Sequence, residues 1–310
     1  MQLTMARREK MKAAVAFIGG SGSGKTLSMI ITAYGMMKEA YPELSDEEIF
    51  KKIGVVDTEH KRAQIYAGME RAGVKIQSFQ HIDFQAPYST ERYDQAIQML
   101  KNAGCEVIII DSISHAWEGA GGLLDKKEEF GGTFQAWNKV KPFMQQFVKS
   151  LTENDVHILV SMRTKQDYQV EKSDTGKIEI KKIGLKPIQK DDLEYEFMIV
   201  FQLDQDHNAR ATKDNSGMFE NNVAPITSEA GEKLFRWLEQ GVDVRAEEEE
   251  RRQKFIGAIK QMAEEDEAAG RELEQLVFKA KQPVDEWKLE LLKKGYKLVE
   301  TAKNQNQQSA

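Results

Sequence analysis

The stretch that decides the fold reads Gly19-Gly20-Ser21-Gly22-Ser23-Gly24-Lys25-Thr26. It matches the pattern G-x-x-x-x-G-K-[ST], whose glycines let successive backbone N–H groups converge on phosphate oxygens. Lys25 supplies a positive charge for the β- and γ-phosphates, and the Thr26 hydroxyl is a suitable Mg²⁺ ligand. A flexible Gly/Ser linker would require neither side chain. The octet and the following Leu27 are therefore predicted to bind a nucleoside triphosphate.

The sequence on either side of this loop has the order that a phosphate-binding unit requires. Residues 13–18 form an apolar run typical of a buried strand, and residues 27–40 carry apolar side chains at helical spacing. Further strands are predicted at 53–56, 74–79, 106–110, 156–160 and 197–203. Helices are predicted between them at 58–72, 90–102 and 134–152. The alternation predicts an α/β fold with a mostly parallel, twisted sheet flanked by helices.

Two segments depart from this alternation. Residues 168–182, with a polar turn at 173–176, have the pattern of a β-hairpin, and so do residues 209–219, with a turn at 214–217. Both segments follow predicted core strands. We therefore expect both hairpins to project from an edge where ligands or neighbouring molecules bind.

The composition changes near residue 240. The segments that follow are rich in Lys, Glu and Leu and are interrupted around Gly270 and Pro283. The chain of 310 residues is thus predicted to contain a nucleotide-binding core at 1–240 and a charged helical extension at 241–303. A polar, low-complexity tail at 304–310 is predicted to be disordered.

Composition excludes several classes of protein. The formal net charge of −6 argues against a protein that coats nucleic acid by bulk charge. The single cysteine, Cys105, cannot form an internal disulfide, and the five histidines have no metal-binding spacing. No apolar stretch approaches the ~20 residues needed to cross a bilayer. We therefore expect a cytoplasmic protein without membrane contact.

Two acids follow predicted buried strands. Asp111 comes directly after strand 106–110, where a doubly wound sheet places its ligand site, and is a candidate Mg²⁺ ligand acting through water. The alternative is that Asp111 caps a helix. Glu59 follows strand 53–56 and is the candidate general base. The alternative is that Asp57 or Thr58 caps the next helix and Glu59 only favours its first turn.

With residues 19–26, 56–60 and 109–112, the chain resembles the RecA/RadA class of P-loop ATPases. Segments 114–117, 161–163 and 203–208 are similar to phage-encoded, RecA-like ATPases of recombination or single-strand-annealing modules. The resemblance covers roughly residues 11–240. It implies Mg²⁺-dependent ATP hydrolysis with Glu59 as catalytic base, homo-oligomers with nucleotides between subunits, and action on single-stranded DNA. Recombination or replication proteins would be further partners, in a bacterial host cytoplasm.

The sequence departs from this family's pattern at two places. Where RecA-class enzymes carry an amide that senses the γ-phosphate, this chain has Ser161-Met162-Arg163, so Arg163 either takes over sensing or faces solvent. Related hexameric helicases use a K-x-R-x-G hairpin from the adjacent subunit, whereas segment 213–217 has Asn215 in place of the arginine. Lys213, or Arg210, either replaces that finger or is solvated. The missing arginine predicts slow basal hydrolysis.

The segment 163–190 carries eight Lys or Arg against four acids. In RecA-like proteins a DNA-contacting loop starts at this position, where cations would neutralise phosphates and Tyr168 could stack on a base. The alternative is a solvated strand face. A competing function is a nucleotide-dependent interaction protein that docks partners through its C-terminal helices without binding DNA. A small-molecule kinase is disfavoured because no Arg-rich lid is evident.

Overall fold

The computed structural model describes residues 5–172, 178–189 and 192–309. The chain divides into two compact units. The larger unit is Met11–Glu239, and the smaller combines Met1–Lys10 with Gln240–Ala310. Residues 5–10 therefore group with the C-terminal helices, whereas the sequence assigned them to the core. The backbone accounts for this grouping, because Lys10 N–H donates to the Val242 carbonyl at 3.0 Å.

The larger unit is built on a mostly parallel sheet. The strands of this unit are β1 (Ala14–Gly19), β2 (Ile53–Asp57), β3 (Glu70–Arg71), β4 (Val74–Lys75), β5 (Gln80–Asp83), β6 (Val107–Asp111), β7 (His157–Lys172), β8 (Ile178–Pro187), β9 (Ile199–Leu203), β10 (Ala209–Asp214) and β11 (Val223–Ala224). Strands β3 and β4 pair with each other in a separate two-stranded sheet. The order across the sheet is β11-β10-β9-β1-β7-β6-β2-β5, and β8 pairs with β7 beside this path. The α/β fold with a central parallel sheet is confirmed.

Helices cover the sheet. In the larger unit they are α1 (Lys25–Ala40), α2 (Asp46–Lys51), α3 (Thr90–Asn102), α4 (Ser114–Glu118), α5 (Leu123–Glu129), α6 (Trp137–Thr152) and α7 (Ser228–Leu238). The smaller unit is described by itself and contains α8 (Val244–Glu265), α9 (Glu267–Ala280) and α10 (Leu289–Ser309). Short 3-10 turns occur at Arg62–Tyr66, Phe134–Ala136, Leu193–Glu196 and Val284–Glu286.

The core consists of two apolar clusters, because alternate residues of a strand point to opposite faces of a sheet. In β1, Val15 and Phe17 belong to one cluster, while Ala16 and Ile18 belong to the other. The first cluster includes side chains of α1, α2 and α7, and the second includes side chains of α3 and α6. Burial on both faces explains the continuous apolar runs in the sequence.

Helices α1 and α7 pack with their backbones in close approach. A Cβ added at Gly35 would lie 1.9 Å from the Ser228 carbonyl oxygen, and one added at Gly231 would lie 2.1 Å from the Thr32 carbonyl oxygen. These distances leave no room for a side chain at either position. Helix α1, which follows the phosphate loop, therefore packs tightly against α7.

The helix predicted at 58–72 is wrong. That segment contains the 3-10 turn Arg62–Tyr66 and strand β3 instead. The Asp57 carboxylate accepts hydrogen bonds from the N–H groups of Glu59 at 2.7 Å and Ala63 at 2.9 Å, which holds a tight turn in place of a longer helix. The third core strand is correspondingly β5 at Gln80–Asp83 and not the predicted segment 74–79.

One predicted hairpin is confirmed and the other is wrong. β7 and β8 form an antiparallel hairpin that continues directly from a core strand, with its turn at 173–177 outside the described residues. Strand β10 does not pair with residues 218–219 but lies in the sheet, antiparallel to β9 and β11. The Asp214 carboxylate accepts hydrogen bonds from Ser216 N–H and Phe219 N–H, so these residues form a turn.

The sequence predicts two or three charged helices in this region, and the smaller unit contains three, packed around a core with a fully buried Trp287. The break between the first two lies at Asp266 and not at Gly270, because the Asp266 carboxylate caps α9. Helix α10 continues to Ser309, across the segment predicted to be a disordered tail. Asn306 donates to Asp266 at 2.8 Å and Lys303 to Glu265 at 2.7 Å, which ties the helix down.

Within the described part of the chain, no helix combines the length and the apolar character needed to cross a membrane.

His157 is a fully buried histidine at the start of β7. Its Nδ1 accepts a hydrogen bond from Ala13 N–H at 3.0 Å, and the Lys12 ammonium lies 3.5 Å from Nε2. Burial, with a smaller contribution from the Lys12 charge, lowers the pKa of His157 to about 3. The native state therefore holds this imidazole neutral.

Acid should destabilise the larger unit through His157. The imidazole ordinarily titrates near 6.5, so from pH 6.5 down to about 3 the unfolded state binds the extra proton. The stabilisation is complete above pH 6.5 and is lost on acidification by about 1.4 kcal/mol per pH unit. Urea denaturation at several pH values gives the free energy of unfolding. It should fall more steeply with acidification in the wild type than in His157→Gln, whose amide oxygen keeps the Ala13 hydrogen bond. An equal pH dependence of the free energy of unfolding in the two proteins would contradict this assignment.

Candidate nucleotide-binding and hydrolysis site

The register of the parallel strands brings the candidate residues to one edge of the sheet. Gly19 at the end of β1 is the register partner of Arg163 in β7 and of Leu203 in β9. Asp57 at the end of β2 is the partner of Asp111 at the end of β6. Because the strands are parallel, the segments that follow these residues emerge side by side. This edge contains the phosphate loop and both candidate acids.

The phosphate loop has the backbone that its glycines permit. Gly22 and Gly24 have φ angles of +81° and +87°, a region that residues with a Cβ rarely adopt. Helix α1 begins immediately afterwards at Lys25, without a side-chain cap and without an acid in its first turn. Among the described residues, the buried Ser23 hydroxyl has no hydrogen-bond partner. Uncapped N–H groups and a spare hydroxyl fit a bound polyphosphate.

The Lys25 ammonium lies across this loop. It donates hydrogen bonds to the carbonyl oxygens of Gly19 at 2.9 Å and Gly20 at 2.8 Å. Burial lowers the pKa of Lys25, and the charges of Asp111 and Glu59 partly offset the effect. The cation therefore lies within the electrostatic reach of both candidate acids, although these are distant in sequence.

Asp111 is fully enclosed and receives two hydroxyl hydrogen bonds. Thr26 Oγ1 donates to Oδ2, and Ser161 Oγ donates to Oδ1. Burial raises the pKa of Asp111, and these hydrogen bonds lower it in part. The two residues predicted to hold Mg²⁺, Thr26 and Asp111, are therefore in direct contact. Ser161 was missed as a site residue, although its position at the end of the neighbouring strand was a usable signal.

The oxygen atoms of this pair fit Mg²⁺, which prefers oxygen ligands and retains several waters and phosphate oxygens. The described residues contain no group of three or more His, Cys, Asp or Glu that could hold a metal by themselves. A metal here would accordingly depend on Thr26 and Asp111 together with the phosphates.

Glu59 and Arg163 form a bidentate ion pair. Arg163 Nε donates to one carboxylate oxygen and Nη2 to the other, both at 2.6 Å. Burial raises the pKa of Glu59, but the hydrogen bonds and charge of Arg163 outweigh this effect and lower it overall. The Arg163 side chain is thus paired with Glu59 while 39% of it remains exposed, and its role as a γ-phosphate sensor stays a prediction.

Lys213 lies far from the phosphate loop of its own chain. It is the register partner of Val200 in the antiparallel pair of β9 and β10, near the start of β9, whereas the loop adjoins the end of β9. Its ammonium donates to the Tyr195 carbonyl oxygen. Within one chain, Lys213 is therefore not among the residues brought together at the phosphate loop.

A further segment beside the phosphate loop escaped sequence reasoning. The loop after β9 lies close to the glycines, so that a Cβ at Gly20 would be 3.0 Å from Gln205 Nε2 and one at Gly24 would be 3.1 Å from His207 Nδ1. The Asp204 carboxylate shapes this loop by accepting hydrogen bonds from Asp206 N–H and Asn208 N–H, each at 2.9 Å. In the sequence, segment 203–208 contributed to the family resemblance, but none of its residues was predicted to belong to the site.

The predicted DNA-binding segment is described only in part. Arg163 and Lys165 stand at the base of the hairpin on β7, and Lys186 on β8 is the register partner of Lys165. The side chains of residues 166–185, including Tyr168, lie outside the described part of the structure. The hairpin is thus placed beside the nucleotide edge by its first residues alone.

A phosphate loop followed by a helix, with an acid at the end of a neighbouring parallel strand, defines a P-loop NTPase. A family model described as an AAA domain, a family of P-loop ATPases, matches residues 11–224, and the chain belongs to this family. A search of curated proteins found no match to the chain.

Removal of the Lys25 ammonium should strongly weaken nucleotide binding. Charge-assisted hydrogen bonds to phosphate contribute about 1.5–3 kcal/mol, so Lys25→Ala should weaken binding of a fluorescent ATP analogue by about 100-fold. Lys38→Ala, on the same helix but paired with Asp46, is the matched control and should bind normally. Equal affinities for the two variants would exclude Lys25 from the site.

Proposed function

We propose that the protein is a Mg²⁺-dependent ATPase that acts with single-stranded DNA in phage-type homologous recombination or strand annealing. The observation that carries the ATPase part is the convergence of Lys25, Asp111 and Glu59 at one sheet edge, where the charges of both acids act on the lysine. A cation for the phosphates, a metal-binding carboxylate and a candidate base are the parts that phosphoryl transfer to water requires.

Each residue has a role that follows from its position. Backbone N–H groups of residues 20–25 and the Lys25 ammonium hold the phosphates of the substrate. Thr26, with Asp111 acting through water, would hold Mg²⁺, which when bound would neutralise charge on the phosphate oxygens. Glu59 orients a water molecule and accepts its proton as general base.

The Glu59–Arg163 ion pair sets a condition on this mechanism. Arg163 donates to both carboxylate oxygens and lowers the pKa of Glu59, so the carboxylate is a weaker proton acceptor until the pair opens. A γ-phosphate offers the guanidinium a competing bidentate partner of higher charge. We infer that Arg163 transfers from Glu59 to the γ-phosphate, which frees the base only when a triphosphate is bound.

The same proposal includes assembly into a homo-oligomer. Lys213 is at the opposite end of β9 from the phosphate loop of its own chain, which leaves a neighbouring copy as the route by which it could reach a nucleotide. Because Asn215 replaces the arginine found in related hairpins, we expect slow hydrolysis unless Lys213 or Arg210 stabilises the developing charge.

The DNA part of the proposal rests on the hairpin of β7 and β8. Its segment 163–190 carries an excess of four positive charges in a chain whose net charge is −6. Arg163 belongs both to this segment and to the ion pair with the candidate base. A movement of Arg163 when the nucleotide binds would therefore also displace the first residue of the hairpin segment.

Glu59→Gln should separate nucleotide binding from hydrolysis. The amide keeps the size of the side chain but cannot accept a proton, so turnover should fall by about 10²–10⁴-fold while ATP affinity is retained. Phosphate release and analogue binding are the measurements. Glu106→Gln removes a carboxylate paired with Lys52 before β6 and should leave turnover unchanged. Wild-type turnover in Glu59→Gln would assign the base elsewhere.

Single-stranded DNA binding should fall steeply with salt. Each phosphate neutralised by Lys or Arg contributes about −0.7 to the slope of log affinity against log salt for single strands. Fluorescence anisotropy with a labelled oligonucleotide should give a shallower slope for Lys165→Ala combined with Lys186→Ala. Lys254→Ala, an exposed residue of the C-terminal unit paired with Glu250, is the control.

Absence of DNA binding at low salt would favour the competing function, a nucleotide-dependent protein that docks partners through its C-terminal helices. The observation in its favour is the exposure of Phe278 on α9, a large apolar residue that is 84% accessible. ATP hydrolysis without DNA binding would support that alternative and leave the roles of Lys25 and Glu59 intact.

A further inference from the structure

Helix α4 contacts both segments that present the ion pair. Ser114 Oγ accepts a hydrogen bond from the backbone N–H of Arg163 at 2.9 Å. His115 Nδ1 lies 2.6 Å from the hydroxyl of Thr58, the residue before Glu59. Ser114 and Thr58 are both buried. Two consecutive residues of one short helix therefore hold the chain on either side of the ion pair.

The hydrogen bonds of Thr58 assign the direction of its contact with His115. Its hydroxyl oxygen accepts a hydrogen bond from Ser112 N–H at 2.8 Å, so its single proton is available for donation. Three acceptors lie within reach: His115 Nδ1 at 2.6 Å and the carbonyl oxygens of Asp111 at 3.1 Å and Ser112 at 3.3 Å. Nδ1 is the nearest, and we assign the proton of His115 to Nε2.

The electrostatic surroundings keep His115 in this neutral form. Burial and the positive charge of Arg163 lower the pKa of His115, and the charge of Glu59 offsets this in part. An imidazolium would carry a proton on Nδ1 and could not accept the Thr58 hydrogen bond.

The His115 ring is also held from its other side. It stacks on Tyr88 with ring centroids 4.7 Å apart and planes at 22°. Tyr88 N–H donates to the Ala120 carbonyl at 2.7 Å, and a Cβ at Gly119 would lie 2.7 Å from the Tyr88 ring. The imidazole orientation is thus fixed by two independent contacts.

We propose that His115 is a positioning residue that sets the location of the Glu59 carboxylate by accepting the Thr58 hydrogen bond. This inference rests on the proposed function, in which Glu59 is the base. Thr58 N–H also donates to the Asp111 carbonyl at 2.8 Å, so Thr58 joins α4, the metal-binding segment and the base. Displacement of a reacting group by about 1 Å costs about 100-fold in rate, so a lost tether should affect turnover more than binding.

Two substitutions at His115 separate the hydrogen bond from the ring contact. His115→Asn places an amide oxygen where Nδ1 stood but removes the ring that stacks on Tyr88. His115→Phe keeps a ring and removes the acceptor. In steady-state ATP hydrolysis, His115→Phe should lower kcat by about 10- to 100-fold with nucleotide affinity within about twofold of wild type. His115→Asn should restore most of kcat.

The opposite ranking, an active Phe variant and an inactive Asn variant, would assign the role to ring stacking and overturn the proposal. Equal turnover in wild type and both variants would overturn it too, as would a loss of affinity in His115→Phe as large as the loss of kcat. Absence of ATP turnover in the wild-type protein would overturn the proposed function itself. The comparison of variants tests only the role of His115, because it requires an active wild type.

A second pair of variants gives the same test if His115→Phe does not fold. Thr58→Ser keeps the hydroxyl, and Thr58→Ala removes it. Turnover should be lost in Thr58→Ala and largely kept in Thr58→Ser, with nucleotide affinity within about twofold of wild type in both. Equal turnover in Thr58→Ala and Thr58→Ser would overturn the inference.

Discussion

The site depends on the parallel register of four neighbouring strands. Strands β1, β7, β6 and β2 are aligned so that the segments after Gly19, around Arg163, after Asp111 and after Asp57 all emerge at one edge. A slip of one residue in any of these strands would turn its buried side chains to the opposite face of the sheet. Since both faces are covered by helices and apolar clusters, such a slip would disrupt the core and the site together. The stability of the core and the geometry of the site thus have the same physical origin.

The polar network at this edge links side chains that are separated widely in sequence. Asp111 joins the phosphate-loop helix to β7 through the hydroxyls of Thr26 and Ser161. Glu59 is held by Arg163, which in turn is held through its backbone by Ser114. An enclosed network of this kind is costly if any member loses its partner, because each buried polar group would then be desolvated without compensation. Each member of this network therefore depends on the position of the others.

Sequence was sufficient where the determinants are local and insufficient where they are tertiary. The phosphate loop, α1 and the ends of β2 and β6 were predictable because apolar runs, glycines and a Lys-Thr pair specify them within short segments. The helix predicted at 58–72 failed because the Asp57 side chain takes up backbone N–H groups and favours a tight turn. The Glu59–Arg163 pair spans 104 residues and the Thr58–His115 contact spans 57, distances at which no sequence period carries information. The pairing of β10 with β9 likewise depended on edge hydrogen bonding and not on propensity.

Strand β7 is continuous from the middle of the sheet at His157 to the hairpin at Lys172. Arg163 lies near the point where its pairing changes from β1 and β6 to β8. Nine residue steps lead from Arg163 to Lys172 and span at most about 30 Å at about 3.3 Å per residue, with a register shift between Asp167 and Tyr168 on the way. A tilt of about 5° at Arg163 would swing the far end of that segment by at most about 2.5 Å, so a small rearrangement around one guanidinium would be amplified into a stroke comparable to a hydrogen-bond length.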